Sequence, residues 1–513
     1  MVTRRTVLKG GAALGLGGLL HGGVSWSRAD ESVRMILPSV THDTIALKVL
    51  LERPPSGAPQ LAIDGRRVAG KATDGDGYAW QFIQNGLKGG TSYTLTLRDD
   101  TGRPLREPWR LRTLPPPDSS PSHFRVLFFT CAGGDEALSA LAVSTRRALF
   151  DRALSISPDL AVANGDHVYW DLRTALLYRR TPEARAKRAE QYRRIAWIDE
   201  DSAFDSDTNR RALNTVIGRQ IASIYEDRFA SVPMLFVADD HDYFENDNAG
   251  TWGCTFPPRP FTMSLQKRTA DMAYPVALGR PDLTDPMASY TVEAIRVGRL
   301  LEINTFECRR GWSNGPDERF LFPEAERYLN DRAARSTAQH YIQVPSVPLG
   351  WTAGKLGEWY DGGPVGQAQT SLDRDKIYWK KGWFEQHQRL TAALAAQKNR
   401  AAISISGDMH ACAASSMTRS GDLDFSANPI HTILPGCIGT TVFPSTSRGL
   451  VPGHPGVLEI SDYAKMEEKN GFTIADVYPD RVDVRQFRWR PPEPVAAIAA
   501  LEPAASFSIR RMS

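Results

Sequence analysis

Five short apolar runs, each followed at once by side chains that bind metals or anions, constrain this chain more than any other feature. The runs are Val126-Leu127-Phe128-Phe129, Leu160-Ala161-Val162-Ala163, Met234-Leu235-Phe236-Val237, Leu300-Leu301-Glu302-Ile303 and Ala402-Ile403-Ser404-Ile405. Short apolar runs of this kind fit buried strands better than helices. Helical patterns lie between them, at residues 137–156, 182–198 and 384–398. Strands alternating with helices predict a layered α/β or α+β domain.

The residues behind the runs carry the chemistry. They read Cys131-Ala132-Gly133-Gly134-Asp135, Gly165-Asp166-His167-Val168-Tyr169-Trp170-Asp171, Asp239-Asp240-His241-Asp242, Glu307-Cys308-Arg309-Arg310 and Gly407-Asp408-Met409-His410. Ligands of open α/β sheets bind beyond the carboxyl ends of the strands, so these loops are expected to converge there. So many carboxylates in one place repel one another and resist burial unless cations neutralise them. Oxygen donors suit calcium, magnesium, manganese or ferric iron. A thiol and a phenol in the same set point to a more Lewis-acidic ion, such as ferric iron. Taken singly, each motif has a plainer reading. Gly-Asp is commonly a turn, a lone His a satisfied core residue, Asp239 to Asp242 a solvated acidic loop, and Cys131 a small apolar side chain. In this order, each behind a buried strand, they point to one pocket.

A chain of 513 residues predicts more than one domain. Residues 30–114 are rich in short alternating segments, such as Ile45 to Leu50 and Thr91 to Leu97, separated by Asp-Gly turns. This pattern predicts an all-β sandwich of the immunoglobulin or fibronectin III type. Leu87 to Tyr93 loosely resembles the corner of such a domain. Residues 115–121, rich in Pro and Ser, read as a linker. Residues 122–490 read as the catalytic domain, ending in a hairpin from Phe472 to Trp489 around Pro479-Asp480. Residues 491–513, rich in Pro and Ala, read as a tail that docks loosely or frays.

Residues 1–29 read as a cleaved export signal. Arg4-Arg5 and Lys9 precede a short Gly-rich apolar run, and Ser27-Arg28-Ala29 offers a cleavage site. The paired arginines look like a twin-arginine signal, which implies export machinery as a partner and a periplasmic or secreted location. The apolar run is too short to span a bilayer. Losing Arg4, Arg5, Lys9 and Arg28 takes the formal charge from +3 to −1. That leaves no electrostatic footprint for nucleic acid, and no stable nucleic-acid or membrane partner is expected. The five cysteines match no zinc spacing.

The order Gly-Asp-x-x-Tyr, Asp-Asp-His-acidic, Gly-Asp-x-His resembles the alkaline phosphatase D (PhoD-like) family, a branch of the calcineurin-like metallophosphoesterases. The resemblance spans most of the chain. It implies a phosphoesterase that hydrolyses phosphodiesters or phosphomonoesters with metal-activated water, on a centre of Fe3+ and Ca2+, other divalent metals being possible. Carried over by position, Cys131 and Tyr169 are implied iron ligands and Asp166 a bridging carboxylate. Asp240, Asp408 and His410 fall at metal-binding positions. Arg309 is implied to face the phosphate. His241 is the candidate to bind the phosphate or protonate the leaving group, because an imidazole holds a proton near neutral pH. Glu307 replaces the family's usual Asp, and Asp242 stands where Glu is commoner. Residues 252–286 and 347–366 depart furthest, which leaves the substrate open. Two rivals are weighed. A non-catalytic cell-envelope binding protein with a degenerate site is disfavoured by reactive residues at every strand end. A serine esterase is disfavoured because no Gly-x-Ser-x-Gly nucleophile elbow is expected.

Overall fold

The computed structural model describes residues 33–172, 181–246, 249–250, 253–254, 257–313, 317–351, 381–440 and 454–512. The expected export signal, Trp252 and most of the expected loop at 347–366 lie outside the described residues.

Residues 33–112 form two four-stranded antiparallel sheets. One runs in the order Val33–Val40, Ile45–Leu51, Ala79–Gln84, Lys71–Ala72, and the other Arg66–Ala69, Gln60–Ile63, Ser92–Arg98, Trp109–Arg112. Alternate residues of the first sheet, Ile45, Leu47 and Val49, share one apolar cluster with Leu61, Ile63, Leu95 and Leu111 of the second. The other face of the first sheet is also covered. Met35, Leu37 and Leu50 join Ile217, Ile221 and Phe229 of the larger part of the chain. Cover on both faces explains why the Ile45–Leu51 strand is buried throughout, Lys48 included. The Tyr93 hydroxyl accepts a 2.7 Å hydrogen bond from the Lys88 backbone N–H and ties down the Leu87–Tyr93 corner.

The larger part is a layered sandwich of two mixed sheets. The six-stranded sheet has the order Met234–Val237, Leu160–Asn164, Phe124–Thr130, Asn470–Tyr478, Arg481–Trp489, Pro503–Arg510. Its first three strands are parallel. The eight-stranded sheet is ordered Val292–Val297, Leu301–Phe306, His340–Pro345, Ala402–Ile405, Ile430–Pro435, Cys412–Ser420, Leu423–Asp424. Leu458–Glu467 also pairs with Cys412–Ser420. Leu301–Phe306 through Ile430–Pro435 are parallel. Val126, Phe128, Val162 and Leu235 of one sheet meet Ile303, Ile342, Ile403 and Ile433 of the other in one core. Full burial of each such side chain contributes about 2 kcal/mol. Helices Val143–Leu154, Asp207–Ile217 and Pro260–Ala273 cover the outer face of the six-stranded sheet. Helices Pro323–Arg335 and Lys381–Ala395 cover the other.

All five apolar runs are strands. They divide between the two sheets, three and two, and are covered on both faces, which explains their lack of alternation. The helix expected over 137–156 is interrupted. A 3-10 turn at Glu136–Leu138 ends at Ser139 with φ 78, and the α-helix covers Val143–Leu154. The expected hairpin is present as Asn470–Tyr478 and Arg481–Trp489. The segment after residue 490 does not fray. Pro503–Arg510 zips antiparallel onto Arg481–Trp489 as an edge strand of the central sheet. Backbone pairing, to which proline-rich composition gives no clue, decides its place.

Candidate metal centre

The parallel strands of both sheets end on the same side, and their loops carry the reactive residues. Three of these residues sit in the left-handed backbone region: Cys131 (φ 51), Asp166 (φ 59) and Asp408 (φ 65). Non-glycine residues held there cost on the order of 1–3 kcal/mol each, and such strain gathers where function requires it. Gly165 before Asp166 has φ 82, and a Cβ on it would lie 2.7 Å from the Asp239 Cβ. No other residue fits that turn.

The donor atoms form three overlapping groups, each with all atoms within 4.8 Å of one another: Cys131, Asp166 and His410; Asp166, Asp240 and His241; Asp166, Asp239, Asp240 and Asp408. Asp166 belongs to all three. Its Oδ2 accepts from the Tyr169 hydroxyl at 2.7 Å and the Cys131 thiol at 3.2 Å. The Tyr169 hydroxyl also lies 3.0 Å from His410 Nε2. Asp166 Oδ1 is buried with no hydrogen-bond partner among the described residues. Such a carboxylate oxygen is costly to leave unmatched. Burial pushes the Asp166 carboxyl well above the usual range, and the Asp240, Asp242 and Asp408 charges add to this against the pull of His241. Burial likewise drives up Cys131 and Tyr169, with Asp166 adding to both. For His241, burial opposes the imidazolium, but Asp171, Asp240 and Asp166 overcome it and hold the ring's pKa well above its ordinary value. Thiol, phenol, imidazole and carboxylate donors around one unmatched oxygen fit a bound metal cluster.

A framework of fixed hydrogen bonds holds the loops. Asp242 Oδ2 accepts from the N–H groups of Asp166 and Asp239, both at 2.9 Å. Its Oδ1 accepts from His167 N (2.8 Å), Val168 N (3.2 Å) and the Tyr274 hydroxyl (2.8 Å). Gln220, in a π-helical turn at Gly218–Ala222, accepts from Gly134 N at 2.9 Å and Tyr169 N at 2.6 Å. π-Turns of this kind recur at functional sites. Asn164 Nδ2 donates to Pro345 O at 2.8 Å and pins one sheet to the other beneath the pocket.

Cys131, Asp166, Tyr169, Asp240, His241, Asp408 and His410 therefore meet as their strand-end positions imply. Arg309 meets them in another role. It is fully buried and donates to Asp239 Oδ1 at 2.6 Å and Oδ2 at 3.3 Å, with Asp408 Oδ1 3.5 Å away. Its Nε and Nη2 are engaged by Asp239, so in this structure it offsets charge within the carboxylate cluster. Glu307 accepts from the Tyr243 hydroxyl and from Arg310 N, away from the donor set. His167, though inside the Gly165–Asp171 motif, is a core residue. Its ring stacks 4.0 Å from Phe236, and burial lowers its pKa. Sequence reading missed Asp239 as a donor and Asp171, whose Oδ1 lies 2.6 Å from His241 Nδ1. Both stand within the motifs already singled out. It also missed Ser346, which donates to Asp239 Oδ1 at 2.9 Å and lies after a strand that carries no motif. The expectation of no such elbow overlooked Gly311-Trp312-Ser313-Asn314-Gly315, which matches its letters; Ser313 forms an isolated bridge with Arg319, and Asn314 and Gly315 lie outside the described residues.

Two packed mixed sheets, with helices outside and a mixed-donor cluster on the strand-end loops, make up this fold. Comparison with solved structures gives it particular relatives. The chain superposes on PhoD with a TM-score of 0.60 at 14% identity, covering 93% of this chain and 90% of that one. It superposes on a purple acid phosphatase isolated from yellow lupin (Lupinus luteus) seeds with a TM-score of 0.53 at 12% identity, covering 93% and 74%. No family profile matches the sequence. No curated protein matches it either.

Proposed function

We propose that this chain is an exported, metal-dependent phosphoesterase of the alkaline phosphatase D type, acting on phosphodiesters or phosphomonoesters. One observation carries the reading: Asp166 stands at the junction of three donor groups with one oxygen unmatched. Cys131, Tyr169 and His410 would hold ferric iron, and Asp240 and Asp408 would offer oxygen donors for calcium or another divalent ion, with Asp166 common to both groups. Metals at such a site lower the pKa of water and neutralise phosphoryl charge. The chain's own residues do the rest. Asp171 fixes the orientation of His241 and favours its protonated form, so that the ring can hydrogen-bond the phosphate or donate a proton to the leaving oxygen. Arg309 offsets Asp239 and keeps the loop compact. Residues 30–114 would form an immunoglobulin- or fibronectin III-like domain, supported by its two facing sheets and the Tyr93–Lys88 corner bond. Residues 115–121 would link it to the catalytic domain. The Arg4-Arg5 pair and the short apolar run support twin-arginine export to the periplasm or medium.

Elemental analysis of the purified protein, paired with chromogenic mono- and diesters before and after chelation, tests the reading. Bound iron or calcium and hydrolysis that vanishes on chelation and returns with metal are expected. Undiminished hydrolysis by fully metal-free protein would falsify it.

A further inference from the structure

Beside the donor cluster lies a pocket of about 150 Å³ that shares Tyr169, Asp171 and His410 with it. A cavity of roughly that size accepts a single benzene ring. Leu138, Ala140 and Tyr192 supply apolar wall. Tyr192 is set in place by Trp170, with the rings edge to face at 4.6 Å.

The polar wall is unequal. Asp135 is taken by Arg219, whose Nε and Nη2 donate to its two oxygens at 2.5 and 2.9 Å. Asp171 is taken by His241. Arg188, from the helix Pro182–Ile195, makes no ion pair among the described residues. Its guanidinium lies over the Tyr192 ring at 5.1 Å, and Nη1 donates to Gln191 at 3.2 Å. Its Nε is buried without a hydrogen-bond partner among the described residues. A half-buried guanidinium with an idle donor is matched best by an oxyanion on its fork.

Resting on the phosphoesterase reading, we infer that Arg188 is a specificity residue for the leaving group. The preferred substrates are phosphoesters whose leaving group is the size of one ring and carries a second negative charge. The pocket holds the ring and Arg188 holds the charge, while the scissile phosphate stays at the donor cluster.

Carboxyphenyl phosphates (meta and para) and their carbamoylphenyl counterparts test this, since each pair differs in charge and little in shape. Wild type, with metal content checked by elemental analysis, is expected to favour the carboxylate ester roughly tenfold in kcat/KM, through KM, as one charge-assisted contact allows. In Arg188→Gln the ratio falls toward one, and Arg188→Lys gives an intermediate ratio. The ratio cancels any change common to both esters, including loss of folded protein. A wild-type ratio near one, or the same ratio in Arg188→Gln, overturns the inference and leaves the phosphoesterase reading standing. Hydrolysis of neither ester by metal-loaded wild type that cleaves a chromogenic diester overturns the inference alone, and failure on monoesters and diesters alike overturns both.

Discussion

At the donor cluster, Asp166, Asp239, Asp240 and Asp408 crowd together with Arg309 among them. At the seam beneath the N-terminal sheets, a single ammonium, Lys48, sits 2% exposed among neutral oxygens. Lys48 Nζ donates to Asp271 O at 2.5 Å, Thr73 Oγ1 at 3.3 Å and Gln81 Oε1 at 3.4 Å. Both regions bury charge, but only the seam supplies its own partners. The cluster leaves an Asp166 oxygen unmatched and its carboxyls driven upward by burial and mutual repulsion. A buried charge that the protein completes is structural. One left incomplete among several other metal donors is what the proposed metal would match.

The largest effect should come from Asp166→Asn. Removing the shared donor is expected to lower kcat/KM by at least about 10³-fold and to lower bound metal. The metal-free protein should be no less stable to urea, because an amide does not suffer the repulsion that its carboxylate neighbours impose. If the metal-free variant is instead strongly destabilised, Asp166 is structural and the contrast with Lys48 fails.

Next in size is Asp242→Asn, which sits in the same loops but resembles the seam. Its carboxylate meets five donors, and an amide offers one acceptor oxygen in place of two. The expected cost is about 3 kcal/mol in urea denaturation of the metal-free protein. Loosened ligands should lower activity about 10–100-fold. Equal stability of this variant and wild type would show that Asp242 does not hold the loops.

The same contrast marks what the sequence could disclose. Strand-end positions are local, so Val126 to Phe129 and the other runs announced both the sheets and the loops that follow them. Which acid of Asp239-Asp240-His241-Asp242 faces inward is not local. The 3-10 turn at Asp240–Tyr243 sends Asp242 toward backbone donors and Asp240 toward the cluster. Burial decides Arg309 as well, since only the packed structure brings it against Asp239. Pro503–Arg510 is a strand because Arg481–Trp489 offers it an open edge, a fact stored elsewhere in the chain. Lys48 shows the same limit. Inside Ile45 to Leu50 it reads as the solvent face of an alternating strand, and only docking of the sheet against Pro260–Ala273 buries it.

That docking gives an effect on stability alone, with no change in activity expected, and a signed one. Burial lowers the Lys48 pKa from 10.5 to about 8, against the pull of Asp271 and Asp74. Below pH 8 the folded and unfolded states both carry the proton, so the cost of burying the charge is felt in full. Between pH 8 and about 10.5 the folded protein releases its proton while the unfolded chain keeps it. The unfolded state then binds more protons, and stability contributed by this site rises with pH. A depression of this size corresponds to roughly 3 kcal/mol across the window. Lys48→Met has no such proton, so wild type should gain on the variant by about that amount from pH 8 to 10.5. Taking the difference between the two cancels the tyrosines and thiols that titrate alongside. A difference that stays flat across the window would mean that the seam admits water to Lys48, and that the ammonium is not desolvated as its neighbours imply.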